Sequence, residues 1–227
     1  MDYLVCGLVL IMGYFIGNIE TAVLVSRMAY GDDIRKHGSG NAGTTNMLRV
    51  FGMKPGMLTF IGDFLKGILS VIIGRLICGW LCGDAIILGA DMATMGGYLC
   101  GLGTVLGHDF PIFFGFKGGK GAASTLGIAW MVAPWVALGI TVFSFIAIYA
   151  TQMVSVGSLL GMTLFTAITI VLNTSNIPLI ILCSALWLLL IIRHGDNIRR
   201  IFNGTESRLF KRPGRAVSYT HLTLPTT

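Results

Sequence analysis

Three short polar segments interrupt an otherwise apolar chain, and each has the composition of a phosphate site. The first is Gly38-Ser39-Gly40-Asn41-Ala42-Gly43-Thr44-Thr45-Asn46-Met47-Leu48-Arg49. Three glycines, three hydroxyls and two Asn in twelve residues exclude a membrane span. A loop of this kind exposes backbone N–H groups and supplies several neutral donors, and it ends on a cation. Phosphate wants many donors and one or two positive charges. A flexible connection between spans would have the same composition.

The second segment, Gly107-His108-Asp109-Phe110-Pro111-Ile112-Phe113-Phe114-Gly115-Phe116-Lys117-Gly118-Gly119-Lys120-Gly121, runs straight into an apolar helix. Successive glycines before a helix start let the backbone wrap an anion at the positive end of the helix dipole. The pattern is not a Walker A loop, which needs Gly at Phe114 and Ser or Thr at Gly121. The plain alternative is a glycine hinge with two snorkelling lysines. The third segment, Arg193-His194-Gly195-Asp196-Asn197-Ile198-Arg199-Arg200-Ile201-Phe202-Asn203-Gly204-Thr205-Glu206, begins where the last apolar run ends. His194 and Asn197 stand three apart and share a helix face. Alone, this segment reads as a basic stop-transfer flank; two phosphate-suited loops on the same side argue for more.

Weaker signals lie inside the apolar runs. Asp63 and Lys66 form an intramembrane pair, either functional or merely neutralising. Asn18, Glu20 and Asp91 are polar positions without an evident purpose, and Ser155 and Ser158 open a later span, where serines commonly cap helices.

The elements that must position these segments are membrane helices. Of 227 residues, 54% are hydrophobic and 11% charged, with a mean hydropathy of +0.80. A soluble domain carries about 25% charged residues, so a soluble globule, a disordered chain and a coiled coil are excluded. The net charge of +6 does not indicate nucleic acid, because the 16 Lys and Arg are bunched between apolar runs. Five cysteines, with neither CxxC nor Cys/His metal spacing, read as small buried hydrophobes, and no metal site is expected. The first apolar run is long and lacks a basic stretch before it, so it is expected to be retained rather than cleaved.

A bilayer core of about 30 Å needs roughly 20 apolar residues. Candidate spans are Tyr3–Ser26, Gly56–Leu81, Ala85–Leu106, Ala122–Met131, Pro134–Ala150, Val154–Leu172 and Ile177–Ile192. The expected fold is therefore an all-α polytopic membrane protein of seven transmembrane helices, with the N-terminus outside and the C-terminus cytoplasmic. This count puts every loop-borne basic residue on one side, whereas six spans would put the C-terminal basic cluster outside. All three polar segments then face the cytoplasm. Residues 1–213 form one membrane domain, and 214–227, Thr-rich and unlike the rest, are expected to be disordered.

Taken together, GSGNAGTTNMLR, GHDFPIFFGFKGGKGAAS and RHGDNIRRIFNGTE resemble the three cytoplasmic signatures of the bacterial acyl-phosphate:glycerol-3-phosphate acyltransferases, the PlsY family. GDDIRKHGSG and GDFLKG add to the resemblance, which extends over roughly residues 1–213. Two departures are Asn18-Ile19-Glu20, where the family often has Ser-Ile-Pro, and Thr44, where Ala is commoner.

The resemblance implies a cofactor-free enzyme of the bacterial plasma membrane. It transfers a fatty acyl group from acyl phosphate to glycerol 3-phosphate, giving lysophosphatidate and phosphate for phospholipid synthesis. It assigns Ser39, Thr45, Asn46 and Arg49 to the site, and the backbone of Gly118, Gly119 and Gly121 to the acyl-phosphate group. Lys120 and Arg49 become phosphoryl-binding cations, and His194 and Asn197 position glycerol 3-phosphate. Glu206 reads as a clamp for the third segment, and either Ser155 or Ser158 belongs to the site. It also implies that the substrate's own phosphate takes the proton of the attacking hydroxyl. No histidine here has an Asp five positions on, so the His-x4-Asp relay of coenzyme-A-dependent acyltransferases is absent. A phosphate transporter would need polar residues across the bilayer and an inverted repeat; neither is visible.

Overall fold

The computed structural model describes residues 2–83 and 85–209; the 214–227 tail and Asp84 lie outside the described residues. Ten α-helices account for most of it: α1 (Asp2–Gly17), α2 (Thr21–Tyr30), α3 (Thr44–Phe51), α4 (Met53–Cys82), α5 (Met92–Asp109), α6 (Ala122–Val132), α7 (Pro134–Thr151), α8 (Val154–Leu172), α9 (Ile177–Arg193) and α10 (Gly195–Phe202). Most of the large apolar side chains left exposed, such as Leu76, Phe145 and Val171, lie on these helices, as expected where the surrounding solvent is hydrocarbon.

By length and hydropathy, four stretches can cross a membrane: the α1–α2 segment Asp2–Tyr30, α4, α7 and α8. A fifth is added if α9 and α10, bent by 60°, are one broken span. α6, with 11 residues, is too short to cross alone. α1, α4 and α5 pack through glycine. A Cβ at Gly13 or Gly17 of α1 would strike the carbonyls of Cys100 or Thr104, and one at Gly107 of α5 would strike that of Tyr14. Small residues four apart thus let two backbones meet, the usual membrane solution. The main apolar core lies where α5, α6, α7, α8 and α9 converge, around Ile128, Phe165 and Leu186.

Three expectations need correction. The run Tyr3–Ser26 is not one helix; it breaks at Asn18–Glu20. The opened backbone is satisfied by side chains: Asn18 Nδ2 donates to the Tyr14 carbonyl at 2.7 Å. Lys66 Nζ donates to the carbonyls of Gly17 at 3.2 Å and Ile19 at 3.0 Å. Second, the run Ala85–Leu106 becomes helical only at Met92. Before it, Ile86 and Ile87 pair with Asp91 and Ala90 in a two-stranded antiparallel hairpin, turned by Leu88 and Gly89 at positive φ. Asp91 caps α5, accepting from Thr94 N–H at 2.8 Å. Third, the glycine-rich loop of the first segment ends at Gly43, and Thr44–Arg49 are helical. α3 buries Asn46 and Met47, and Met47 closes a small apolar cluster with Ala22, Val23, Ile34 and Ala42.

Candidate active site

The three polar segments converge. The chain just before the first segment is tied to the second through Arg35, which donates to the Phe114 carbonyl at 2.9 Å and lies over the Phe114 ring. Asp33 holds Arg35 in place through Nε at 3.0 Å and Nη2 at 2.7 Å, and also receives Arg27 at 2.8 Å. These bonds hold the Asp33 carboxyl well below the usual carboxylate range, against the opposing effect of burial.

The second and third segments meet through Lys120 and Arg193. Lys120 Nζ donates to Asn197 Oδ1. Asn197 Nδ2 donates to Glu206 Oε1 at 2.6 Å, Ser155 Oγ to the same oxygen at 2.8 Å, and Arg200 Nε to Oε2 at 2.7 Å. Glu206 therefore ties the chain beyond α10 to the start of α8. Arg193, at the end of α9, donates to the Gly119 carbonyl at 2.7 and 3.1 Å and stacks over Phe110. The glycine turn leads into the N-terminus of α6, where the first-turn N–H groups have no helical acceptor. Gly121, the residue before α6, has φ +67°, a left-handed conformation that suits glycine.

Burial and the neighbouring Arg200 charge lower the Lys120 ammonium from its ordinary value, with Glu206 pulling the other way. Glu206 is also lowered: burial opposes ionisation, but the bonds from Asn197, Arg200 and Ser155 outweigh it. The His194 ring is buried, and its Nδ1 lies 2.9 Å from the Leu190 carbonyl. A carbonyl only accepts, so Nδ1 carries the proton and Nε2 of the neutral ring is an acceptor.

Beneath the glycine turn lies a second cluster. Lys66 Nζ is 3.1 Å from Asp63 Oδ1 and 2.8 Å from His108 Nδ1; Glu20 Oε1 is 3.3 Å from the same His108 atom. Glu20, Asp63, Lys66 and His108 are all buried. Beside α8 and α10, Val156, Leu159, Leu160, Ile198, Ile201 and Phe202 line an apolar groove, adjoining Ser155 and Asn197 in sequence.

The chain is similar to known proteins over nearly its whole length. It is 36% identical over 206 residues to a glycerol-3-phosphate acyltransferase of Alkaliphilus metalliredigens, covering 89% of this chain and 95% of the relative. The relative from Finegoldia magna is 35% identical over 219 residues, covering 93% and 100%. The crystal structure of PlsY (YgiH), an integral membrane glycerol 3-phosphate acyltransferase, in its glycerol 3-phosphate form, has a TM-score of 0.73 at 32% identity and covers 89% of this chain and 94% of that one. Its lysophosphatidic acid form has a TM-score of 0.71 at 31% identity. Residues 7–204 match the glycerol-3-phosphate acyltransferase family.

The chain belongs to that family. It is a multi-pass membrane acyltransferase of the PlsY type.

In this glycerol-3-phosphate acyltransferase, the residues singled out in the sequence fall into two groups. Lys120, Asn197, Ser155 and Glu206 form one connected network, and Arg193 separately holds the carbonyls of Gly118 and Gly119 beside it. Ser39, Thr45, Arg49 and Ser158 make no side-chain hydrogen bond or ion pair to that network among the described residues, and Arg49 is exposed. Asn46 is spent on its own loop: its Nδ2 meets the carbonyls of His37 and Asn41 at 3.0 and 3.1 Å, and its Oδ1 accepts from Ser39 N–H at 3.0 Å. The sequence reading missed Arg193 as the holder of the glycine turn and Arg35 as the tie to Phe114. Arg193 sat at the end of an apolar run and looked like a cytoplasmic flank; its one available signal was its place beside His194.

Proposed function

We propose that this enzyme takes acyl phosphate as its donor and transfers the acyl group to glycerol 3-phosphate, in a seven-span frame with the site on the cytoplasmic side. The observation that carries the reading is the meeting of Lys120 with Asn197 and of Arg193 with Gly119. It sets the glycine turn and the open N-terminus of α6 beside two cations, an arrangement suited to a compact anion. Arg49, exposed and near the end of α3, is the second phosphoryl-binding cation, with Ser39 and Thr45 as neutral donors. Asn46 acts by shaping the loop that carries Ser39. Glu206, with its oxygens taken by three donors, is a clamp, and Ser155 rather than Ser158 is the serine of the site because it bonds Glu206. The groove along α8 and α10 suits the acyl chain.

In the reaction, a hydroxyl oxygen of glycerol 3-phosphate attacks the acyl carbonyl and the bond from that carbon to the phosphate oxygen breaks. The hydroxyl proton passes to an oxygen of the departing phosphate. The protein then contributes positioning and charge, and no side-chain base is needed. Purified protein given acyl phosphate and labelled glycerol 3-phosphate, with no other component, is expected to release labelled lysophosphatidate and phosphate one to one. Absence of product from folded protein contradicts the proposal.

In this frame α5 and the short α6 make the two remaining crossings, α6 relying on the segments at its ends because its 11 residues do not reach across alone. Residues 1–213 act as one domain in the bacterial plasma membrane. The orientation has its own test. A cysteine placed at Ser207 is expected to react with an impermeant thiol reagent only after the membrane is opened, and labelling from outside intact cells would overturn the topology.

A further inference from the structure

His108 stands outside the Lys120–Asn197–Glu206 network, yet it touches the same glycine turn. The residue is 3% exposed. The His108 carbonyl accepts from Gly119 N–H at 3.0 Å. A Cβ on Gly119 would land on His108 Nε2, so that nitrogen lies directly against the turn. Nε2 has no hydrogen-bond partner among the described residues, whereas Nδ1 faces Lys66 Nζ at 2.8 Å and Glu20 Oε1 at 3.3 Å.

These neighbours settle where the ring proton sits. The Lys66 ammonium only donates, and it is fixed by the carbonyls of Gly17 and Ile19 and by Asp63 Oδ1 at 3.1 Å. A neutral ring with its proton on Nδ1 would point an N–H at that ammonium. With the proton on Nε2, Nδ1 accepts from Lys66 instead. Glu20 Oε1 makes no hydrogen bond among the described residues, so the partner of Nδ1 is Lys66, and the tautomer that accepts from it carries its proton on Nε2.

We propose that His108 Nε2–H is a further donor to the phosphoryl group at the Gly118–Gly121 turn, and that Lys66, Asp63 and Glu20 are positioning residues that keep the proton on that nitrogen. The proposal rests on the reading of this turn as a phosphate site. It also gives the turn a donor to offset a nearby carboxylate. The Asp109 carboxylate is buried, without a hydrogen-bond partner among the described residues, and a Cβ on Gly121 would be 3.2 Å from its Oδ1. Unopposed, that carboxylate disfavours an anion.

The test uses the full chain in detergent with inorganic phosphate as the probe. In protein carrying ¹⁵N-histidine, His108 is expected to show the Nε2-protonated form, and its Nε2 signal is expected to move when phosphate is added. His108→Asn keeps an acceptor near Lys66 but does not reach as far as Nε2. It should weaken phosphate binding and raise KM for acyl phosphate by about tenfold, the effect of one donor to a charged group, with KM for glycerol 3-phosphate unchanged. His108→Gln, whose amide reaches the Nε2 position, should recover most of that loss. An Nδ1-protonated ring, or wild-type phosphate affinity in His108→Asn, overturns the proposal. So does a parallel rise of both KM values with equal loss of thermal stability in the two variants, the mark of a purely structural role. If wild-type protein does not use acyl phosphate but His108→Asn still weakens phosphate binding, the donor assignment fails and this inference stands.

Discussion

Lys120→Ala is expected to lower kcat/KM for acyl phosphate by about a hundredfold, with the protein still inserted and folded. A charge-assisted contact to a phosphoryl group is worth about 1.5–3 kcal/mol, and the substitution also leaves Asn197 Oδ1 without the ammonium that orients it. Arg49→Ala should cost about ten- to a hundredfold by the same argument, but without disturbing Asn197. The sign of the pH dependence follows from the direction of the Lys120 shift. Burial and Arg200 lower its pKa, and the reaction uses the cationic form. Activity is therefore full below the lowered value and falls as pH rises through it, so the alkaline limb of kcat/KM lies below the range of an ordinary lysine. Lys120→Arg, which keeps its charge, should move that limb upward. An unchanged limb in Lys120→Arg, or unchanged kinetics in Lys120→Ala, removes Lys120 from the site.

His194→Ala is expected to be the most damaging change in the third segment, and His194→Gln to be clearly less so. With Nδ1–H held by the Leu190 carbonyl, the ring offers Nε2 as an acceptor for a substrate hydroxyl. Glutamine can place an amide oxygen at similar reach, but it is not a base. If the phosphate of the donor takes the proton, glutamine retains the hydrogen bond and much of the rate, and the acidic limb of the pH–kcat profile stays in place. If His194 takes the proton, glutamine does no better than alanine and that limb disappears. Measuring kcat for both variants across pH separates the two.

Much of the frame was readable because hydropathy and helix breakers fall together. The expected span Val154–Leu172 coincides with α8, and Gly56–Leu81, Pro134–Ala150 and Ile177–Ile192 miss α4, α7 and α9 by no more than three residues at either end. Pro134 opens α7, as the bend it marked implied. The break in the first run was not readable, because its cause lies elsewhere in the chain. No proline or glycine pair stands at Asn18–Glu20, and the groups that satisfy the opened backbone and face Glu20 are Lys66 and His108. For the same reason Asn18 and Glu20 had no evident purpose. The hairpin before α5 was hidden by its apolar residues, although Asp91 followed three residues later by Thr94 is a capping signal that local reading could have used. In the site, residue types announced which segments matter, but not their pairing. Lys120 and Asn197 are 77 positions apart, and only the packing of α9 against α5 and α6 brings Arg193 onto the glycine turn.

The central claim is the donor. The proposal is that the Gly118–Gly121 turn admits a compact phosphate and not the nucleotide of a coenzyme A thioester. Initial rates of purified wild-type enzyme should be measured with matched acyl chains as acyl phosphate and as acyl-CoA, at saturating glycerol 3-phosphate. The account predicts turnover with acyl phosphate and negligible turnover with acyl-CoA; equal kcat/KM for the two donors would contradict it.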